Sequence, residues 1–225
     1  MAHAYEIEVK SLLGSKENCE KLKVSLRTER PDMKLVAEGK QLNHYFEGGD
    51  YKKLYDMMAP LVPADKLPNL KHVVLDGSKQ SVRTRQAEDK VILVVKASIG
   101  SDTSANGVER IEFEQTVSMS LNELDKKVLG AGFSYQAKWS REREEYDLGD
   151  MHVCIDKNAG YGYLSEFEKV IEDKERATKA LQEIRDFMKT VGVEELEQDR
   201  LERMFTHYNA HWAEYYGTDK TFVIE

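Results

Sequence analysis

In one strand-like segment after another, long charged side chains recur at every second position while the residues between them are apolar or aromatic. Glu6, Glu8 and Lys10 follow this rule, as do Arg110, Glu112 and Glu114, and Glu166 and Glu168 around Phe167; Arg83 and Arg85, and Arg141 and Arg143, keep the same spacing with Thr84 and Glu142 between them. A period of two belongs to a β-strand with two unlike faces. A sheet with one face in water also alternates, but solvated faces mix Ser, Thr, Asn and Gln with their charges. Here the charged side chains dominate. Their apolar neighbours need a layer to pack on, and amphipathic helical stretches elsewhere in the chain supply one. Helices outside leave the charged face pointing inward. The expected fold is therefore α+β: an antiparallel β-barrel of about eight strands, a tunnel, with helices packed outside.

The remaining segments fit that frame. Strands are expected at 5–10, 42–47, 81–86, 91–97, 108–117, 136–146, 151–156 and 163–171, with a hairpin loop rich in Ser, Gly, Asp and Asn at 98–107. Helices are expected at 15–30, 121–129, 174–191 and 194–216. The 121–129 helix opens with Ser120 and Glu123 in capping-box spacing. On the last helix Leu201, Met204, Phe205, Tyr208 and Trp212 form a stripe that reads as packing. Residues 50–79, with Pro60, Pro63 and Pro68, read as an insertion over the surface or across a barrel mouth, placed to influence substrate size. Residues 1–172 would form the barrel, and the 173–225 helices would pack on it as part of the same domain.

Composition narrows the class. At 225 residues the chain suits one well-buried core, and 40% hydrophobic content with few Pro and Gly argues for a globular fold. A net charge of -8 argues against a nucleic-acid duplex as partner, though not against a small anion in a local basic pocket. No apolar run is long enough for a membrane span, and Met1–Lys10 has no signal-peptide core, so a cytoplasmic location is expected. Cys19 and Cys154 fit no zinc or redox spacing and read as buried thiols. His207 and His211 sit four apart on a helix without an evident third ligand, and read as surface residues. No G-x-S-x-G, Walker, HExxH or CxxC motif is present.

A charged interior is costly unless the charges pair or hold a ligand. Its acids are Glu6, Glu8, Glu112, Glu114, Asp156, Glu166 and Glu168; its bases are Lys10, Arg83, Arg85, Lys96, Arg110, Arg141 and Arg143. Carboxylates supply the hard oxygen ligands of Mg²⁺ or Mn²⁺, and Arg and Lys grip phosphate oxygens. Such a lining suits a ligand that is both polyanionic and metal-bound. Lys138 is out of phase with Arg141 and Arg143 and stands apart from the set.

The order of these residues resembles the CYTH superfamily of triphosphate tunnel metalloenzymes, which includes class IV adenylyl cyclases, thiamine triphosphatases and inorganic triphosphatases. Glu6-x-Glu8-x-Lys10 resembles its ExExK signature, and Gln41 with Tyr45-Phe46 its second-strand motif. Arg83-Thr84-Arg85 looks like its paired arginines, Lys96 like its strand-end lysine, and Arg110-Ile-Glu112-Phe-Glu114 like its RxExE strand. Arg143-x-x-Tyr146, Ile155-Asp156, the Gly160-x-Gly162 turn and Glu166-Phe-Glu168 complete the series, over residues 5–172.

The resemblance implies metal-ligand roles for Glu6, Glu8, Glu166 and Glu168 with Asp156 assisting, and catalytic roles for Glu6, Glu8, Lys10 and Asp156. Lys10, Arg83, Arg85, Lys96, Arg110, Arg141 and Arg143 would bind phosphates. Glu112 and Glu114 would either bind a second metal or orient the arginines. The expected reaction is metal-dependent hydrolysis of a triphosphate-containing small molecule by a monomer or homodimer. The alternatives are class IV cyclisation of ATP to cyclic AMP and pyrophosphate, with Tyr45, Trp139 or Tyr55 available to stack on a base, and a barrel that binds polyphosphate without catalysis.

Overall fold

The computed structural model describes residues 5–98 and 110–225, without the side chains of Arg110 and Lys174. The expected 98–107 loop, apart from Ser98, and the first two residues of the 108–117 strand lie outside the described residues. Eight antiparallel strands are present among those described: β1 (Tyr5–Gly14), β2 (Lys34–Gly48), β3 (Ser78–Ala87), β4 (Lys90–Ser98), β5 (Arg110–Val117), β6 (Phe133–Asp147), β7 (His152–Asn158) and β8 (Gly162–Ile171). The helices are α1 (Lys16–Glu29), α2 (Tyr51–Met58), α3 (Leu67–Lys71), α4 (Leu121–Gly130), α5 (Ala177–Thr190) and α6 (Gln198–Tyr215). None of them is long and apolar enough to cross a membrane. The fold is α+β, as expected. The chain forms two compact units, one from residues 5–40 and 140–225 and the other from 41–98 and 110–139.

In the first unit the hydrogen-bonded order is β1, β8, β7, β6. Its register places Glu8 opposite Glu168, Lys10 opposite Glu166, Glu166 opposite Cys154 and Asp156 opposite Arg143. Directly opposed residues share a face, so the charged positions gather on one side. Ile7, Val9, Val153, Ile155 and Phe167 alternate with them and are buried against Cys19, Leu22 and Leu26 of α1 and Ile184 and Met188 of α5. At the β7–β8 turn, Gly160 has φ +93, and a Cβ there would stand 2.6 Å from the Tyr208 ring of α6. Only glycine combines that backbone with that approach. The expected packing stripe of α6 holds: Leu201, Met204 and Tyr208 are buried, and Tyr208 meets Tyr161 edge-on at 5.5 Å.

In the second unit β2, β3, β4 and β5 pair in sequence order. Tyr45 stands opposite Arg83, Arg83 opposite Val94, Val94 opposite Glu114, and Lys96 opposite Glu112. The other face carries Phe46, Val82, Leu93, Val95 and Phe113. They pack with Leu54 and Met58 of α2, Leu70 of α3, Val73 and Val74 after it, and Leu124 and Val128 of α4. The capping box opening α4 is formed by Ser120 and Glu123.

The 50–79 segment departs from expectation. It is a packing layer on the face opposite the charges, since Leu54, Met58, Leu70, Val73 and Val74 supply apolar side chains that only a core can satisfy. Three prolines suggested a surface excursion, but they fall where short helical turns begin or end. Truncating Leu70, fully buried at 0% exposure, to alanine is expected to cost about 2–5 kcal/mol in chemical denaturation. For the same reason, excising 50–79 is expected to unfold the second unit rather than to alter substrate choice. A folded deletion variant with changed substrate preference would restore the earlier expectation.

Candidate functional site

The charged face of the first unit is a connected network. Asp156 is 1% exposed and accepts hydrogen bonds from Arg141 Nη1 at 2.9 Å, Arg143 Nε at 2.7 Å and Arg143 Nη2 at 2.6 Å. Arg143 Nη2 also donates to Glu166 at 2.6 Å. Lys10 Nζ lies 2.7 Å from Glu8 and 3.6 Å from Glu166. Two arginines and a lysine thus pair with two buried acids, whose charges would be costly to bury alone. Burial pushes the Glu166 carboxyl up, but Arg143, Lys10 and Arg141 more than reverse this and hold it well below the usual range. Burial likewise opposes the Arg143 charge, and Asp156 and Glu166 hold its pKa well above the usual value.

A depressed carboxylate pKa stabilises the fold fully above the unfolded value, about 4.3 for glutamate, and loses that contribution as pH falls through the folded value. The wild-type urea midpoint should therefore fall below about pH 4, and Glu166→Gln should flatten that acid limb. Parallel acid limbs in the two proteins would count against the assignment.

Glu6 lies on the same face of β1 as Glu8, two positions away. Two further side chains on this face escaped the sequence reading. Cys154, half-buried rather than fully buried, is opposite Glu166, and burial pushes its thiol up to about 12, which makes it a poor nucleophile at neutral pH. Glu145 lies 3.9 Å from Arg143 Nη1. Counting by twos along 141, 143, 145 and 152, 154, 156 was the signal that could have found both.

On the second unit's charged face, Arg83 Nη1 donates to Tyr45 Oη at 2.8 Å, and its guanidinium lies 5.3 Å from the Tyr45 ring centre. Its Nη2 reaches Glu112 at 3.5 Å. Arg83 Nε is buried and has no hydrogen-bond partner among the described residues. Burial works against the Arg83 charge, but Tyr45, Glu112 and Glu114 outweigh it and raise its pKa. Arg85 donates from Nε to Asn43 Oδ1 at 3.2 Å and pairs with Glu114 at 3.0 Å. Lys96 Nζ lies 2.9 Å from Glu112. Glu112 thus holds Arg83 and Lys96, and Glu114 holds Arg85. Arg110 stands opposite Ser98 in the ladder, and its side chain lies outside the described residues. Trp139, half-buried, packs on Tyr45 at 5.9 Å with the rings tilted by 56°. Lys138 lies over the Tyr135 ring at 4.1 Å, apart from the arginine set as expected.

Among the described residues, no three His, Cys, Asp or Glu side chains converge closely enough to hold a metal ion as they stand. The donor chemistry nevertheless fits a hard divalent cation. Glu8 directly opposes Glu168, with Glu6 beside Glu8 on the same face. Like charges directly opposed in an antiparallel pair destabilise it, and a cation that takes carboxylate oxygens relieves the repulsion. Asp156 is a weaker candidate ligand, because its oxygens already accept from two arginines.

A family model described as the CYTH domain matches residues 69–201, more than half of the chain. Among solved structures, a conserved hypothetical protein from Pyrococcus furiosus is similar at TM-score 0.60 and 20% identity, covering 84% of this chain and 91% of that one. A candidate adenylate cyclase from Vibrio parahaemolyticus is similar at TM-score 0.60 and 10% identity, covering 90% and 98%. A chain of the Schizosaccharomyces pombe Mediator head module is similar at TM-score 0.54 and 10% identity, covering 85% and 97%. At these identities the likenesses establish the fold alone. No curated protein matches the chain.

Proposed function

We propose that this chain, which belongs to the CYTH domain family, hydrolyses the terminal phosphoanhydride of a triphosphate with the help of a divalent metal. The expected closure of the strands into a tunnel barrel is part of the same proposal. One observation carries it above the others. Arg83 is buried, anchored at one nitrogen to Tyr45, and keeps a buried Nε–H without a partner among the described residues. An unmade hydrogen bond to a buried donor costs about 1–3 kcal/mol, more for a charged group. A phosphate oxygen accepting from Nε removes that cost and gains a charge-assisted bond.

On this reading the roles are as follows. Arg83, Arg85, Lys96, Arg110, Arg141, Arg143 and Lys10 bind phosphate oxygens and stabilise the charge that shifts among them as the terminal P–O bond breaks. Glu6, Glu8 and Glu168, with Glu166 assisting, hold Mg²⁺ or Mn²⁺, which supplies charge neutralisation on the phosphates and activation of water. Asp156, Glu112 and Glu114 keep the bases oriented. Water adds to the terminal phosphorus and a diphosphate leaves, so no protein nucleophile is required; the raised Cys154 thiol agrees with that.

Carboxylates interleaved with the bases favour an enzyme over a pure anion binder, which gains nothing from acids near phosphate. The half-buried Trp139 beside Tyr45 favours a second reading, cyclisation of ATP with the base stacked on the indole. Product analysis separates the two. Orthophosphate released from tripolyphosphate with Mg²⁺ or Mn²⁺, and lost in the Glu6→Gln, Glu168→Gln double variant, is expected. Cyclic AMP and pyrophosphate from ATP would replace hydrolysis with cyclisation. Binding without turnover of tripolyphosphate, ATP or thiamine triphosphate would leave a binding protein.

A further inference from the structure

On the helix-covered face of the second unit, Asp125 of α4 is 2% exposed, yet its carboxylate is fully engaged. Oδ1 accepts from Thr84 Oγ1 at 2.6 Å, and Oδ2 accepts from Tyr135 Oη at 2.7 Å and lies 2.7 Å from His44 Nδ1. Burial pushes this carboxyl up, and the bonds from His44, Thr84 and Tyr135 more than reverse the shift. Stability alone is a poor reason for such a cluster, since replacing a buried polar set with apolar groups of the same shape is often neutral.

The register supplies a better reason. His44 of β2 and Thr84 of β3 are a directly opposed cross-strand pair, so one carboxylate holds both members. The pairs on either side are Asn43 with Arg85 and Tyr45 with Arg83. Those are also the pairs whose side chains bond on the charged face: Asn43 to Arg85 Nε, and Tyr45 to Arg83 Nη1. Asp125 therefore grips, from behind, the central rung between the two arginine rungs. Because alternate residues point to opposite faces, any slip or twist at the His44–Thr84 rung is transmitted to both guanidinium groups.

We infer that Asp125 is a positioning residue, clamping the His44–Thr84 pair from the helix side so that Arg83 and Arg85 meet the phosphates in register. It touches no substrate itself. The inference rests on the proposed triphosphate chemistry.

The test compares variants of the full chain by kcat and KM for tripolyphosphate with Mn²⁺, well below each variant's melting temperature. Thr84→Val keeps the shape and removes one bond of the clamp. A misplacement near 1 Å costs up to about 100-fold, so kcat/KM is expected to fall about tenfold or more, chiefly through KM. Thr84→Ser restores the hydroxyl and should return kcat/KM to within about twofold of wild type, since its small packing loss sits away from the substrate. Tyr135→Phe removes a bond to the same carboxylate but leaves the β2–β3 rung intact, so it should lower the melting temperature while changing KM by less than about twofold. If Thr84→Val does not fold, Asp125→Asn is read in its place.

Equal KM increases for Tyr135→Phe and Thr84→Val would mean general softening and overturn the positioning role, as would an unchanged kcat/KM in Thr84→Val. Arg83→Ala run in parallel keeps the two ideas apart. No turnover of tripolyphosphate by the wild type overturns the triphosphatase reading, and turnover that survives Arg83→Ala removes Arg83 from the phosphate site. Turnover lost there but untouched by Thr84→Val overturns the clamp alone.

Discussion

Replacing Arg143 with methionine is expected to lower kcat/KM for tripolyphosphate by about 10³-fold and to destabilise the fold by about 3–5 kcal/mol. Both effects have one cause. The Arg143 guanidinium donates twice to Asp156 and once to Glu166, and Asp156 is almost fully buried. Methionine fills the stem's volume but leaves the two acids short of their main counter-charge. Arg141 and Lys10 remain as partial compensation, so the variant should fold at 25 °C with a lowered urea midpoint. On the proposed reaction the same guanidinium stabilises phosphate charge, and its loss is felt in the transition state. Arg143→Lys should recover part of the stability and little of the rate, because an ammonium cannot reproduce the forked contact. Steady-state kinetics beside urea titrations check both halves. A methionine variant within tenfold of wild-type activity would remove Arg143 from the site.

Glu168→Gln is expected to separate stability from activity. Glu168 faces Glu8 across the β1–β8 ladder, and glutamine keeps its shape while removing the charge. Without metal, the melting temperature should therefore stay within a few degrees of wild type. Activity with Mg²⁺ or Mn²⁺ should fall at least about 100-fold, since on the proposed reaction this carboxylate would hold the cation. Metal linkage gives a second readout: a ligand that binds only the folded state raises its stability, so Mn²⁺ with tripolyphosphate should raise the wild-type melting temperature and leave the variant's nearly unchanged. If the variant melts lower without metal and keeps its metal response, Glu168 is not a ligand.

Much of this was legible in the sequence because alternation is a strong local signal. The charged positions of β1, β3, β5, β6 and β8 fall on the strands expected for them. The helix α4 was marked by its Ser120–Glu123 box, and α1 falls within the helix expected at 15–30, with Ser15 as its cap. Other elements were not legible, for identifiable reasons. The first half of β2, Lys34 to Lys40, is almost wholly exposed and contains Gly39, so neither face writes a periodic pattern. The 50–79 segment was misjudged because prolines are a louder local signal than the scattered apolar residues that bury it. Asp125 passed as one more charge on a helix. Two of its three partners, Thr84 and His44, lie 41 and 81 residues away in sequence, and no local pattern announces a contact of that kind. Cys154 and Glu145 were visible by counting, but their residue types drew no attention.

On the proposed reaction, water attacks the terminal phosphorus of the bound triphosphate. Turnover of tripolyphosphate and of ATP in ¹⁸O-enriched water with Mn²⁺, followed by mass spectrometry of every product, identifies the attacking oxygen. The expected result is one ¹⁸O per orthophosphate released and none in the diphosphate product, with the signal absent in the Glu6→Gln, Glu168→Gln double variant. Unlabelled pyrophosphate accompanied by cyclic AMP would contradict it, because the attacking oxygen would then have come from the ribose and not from water.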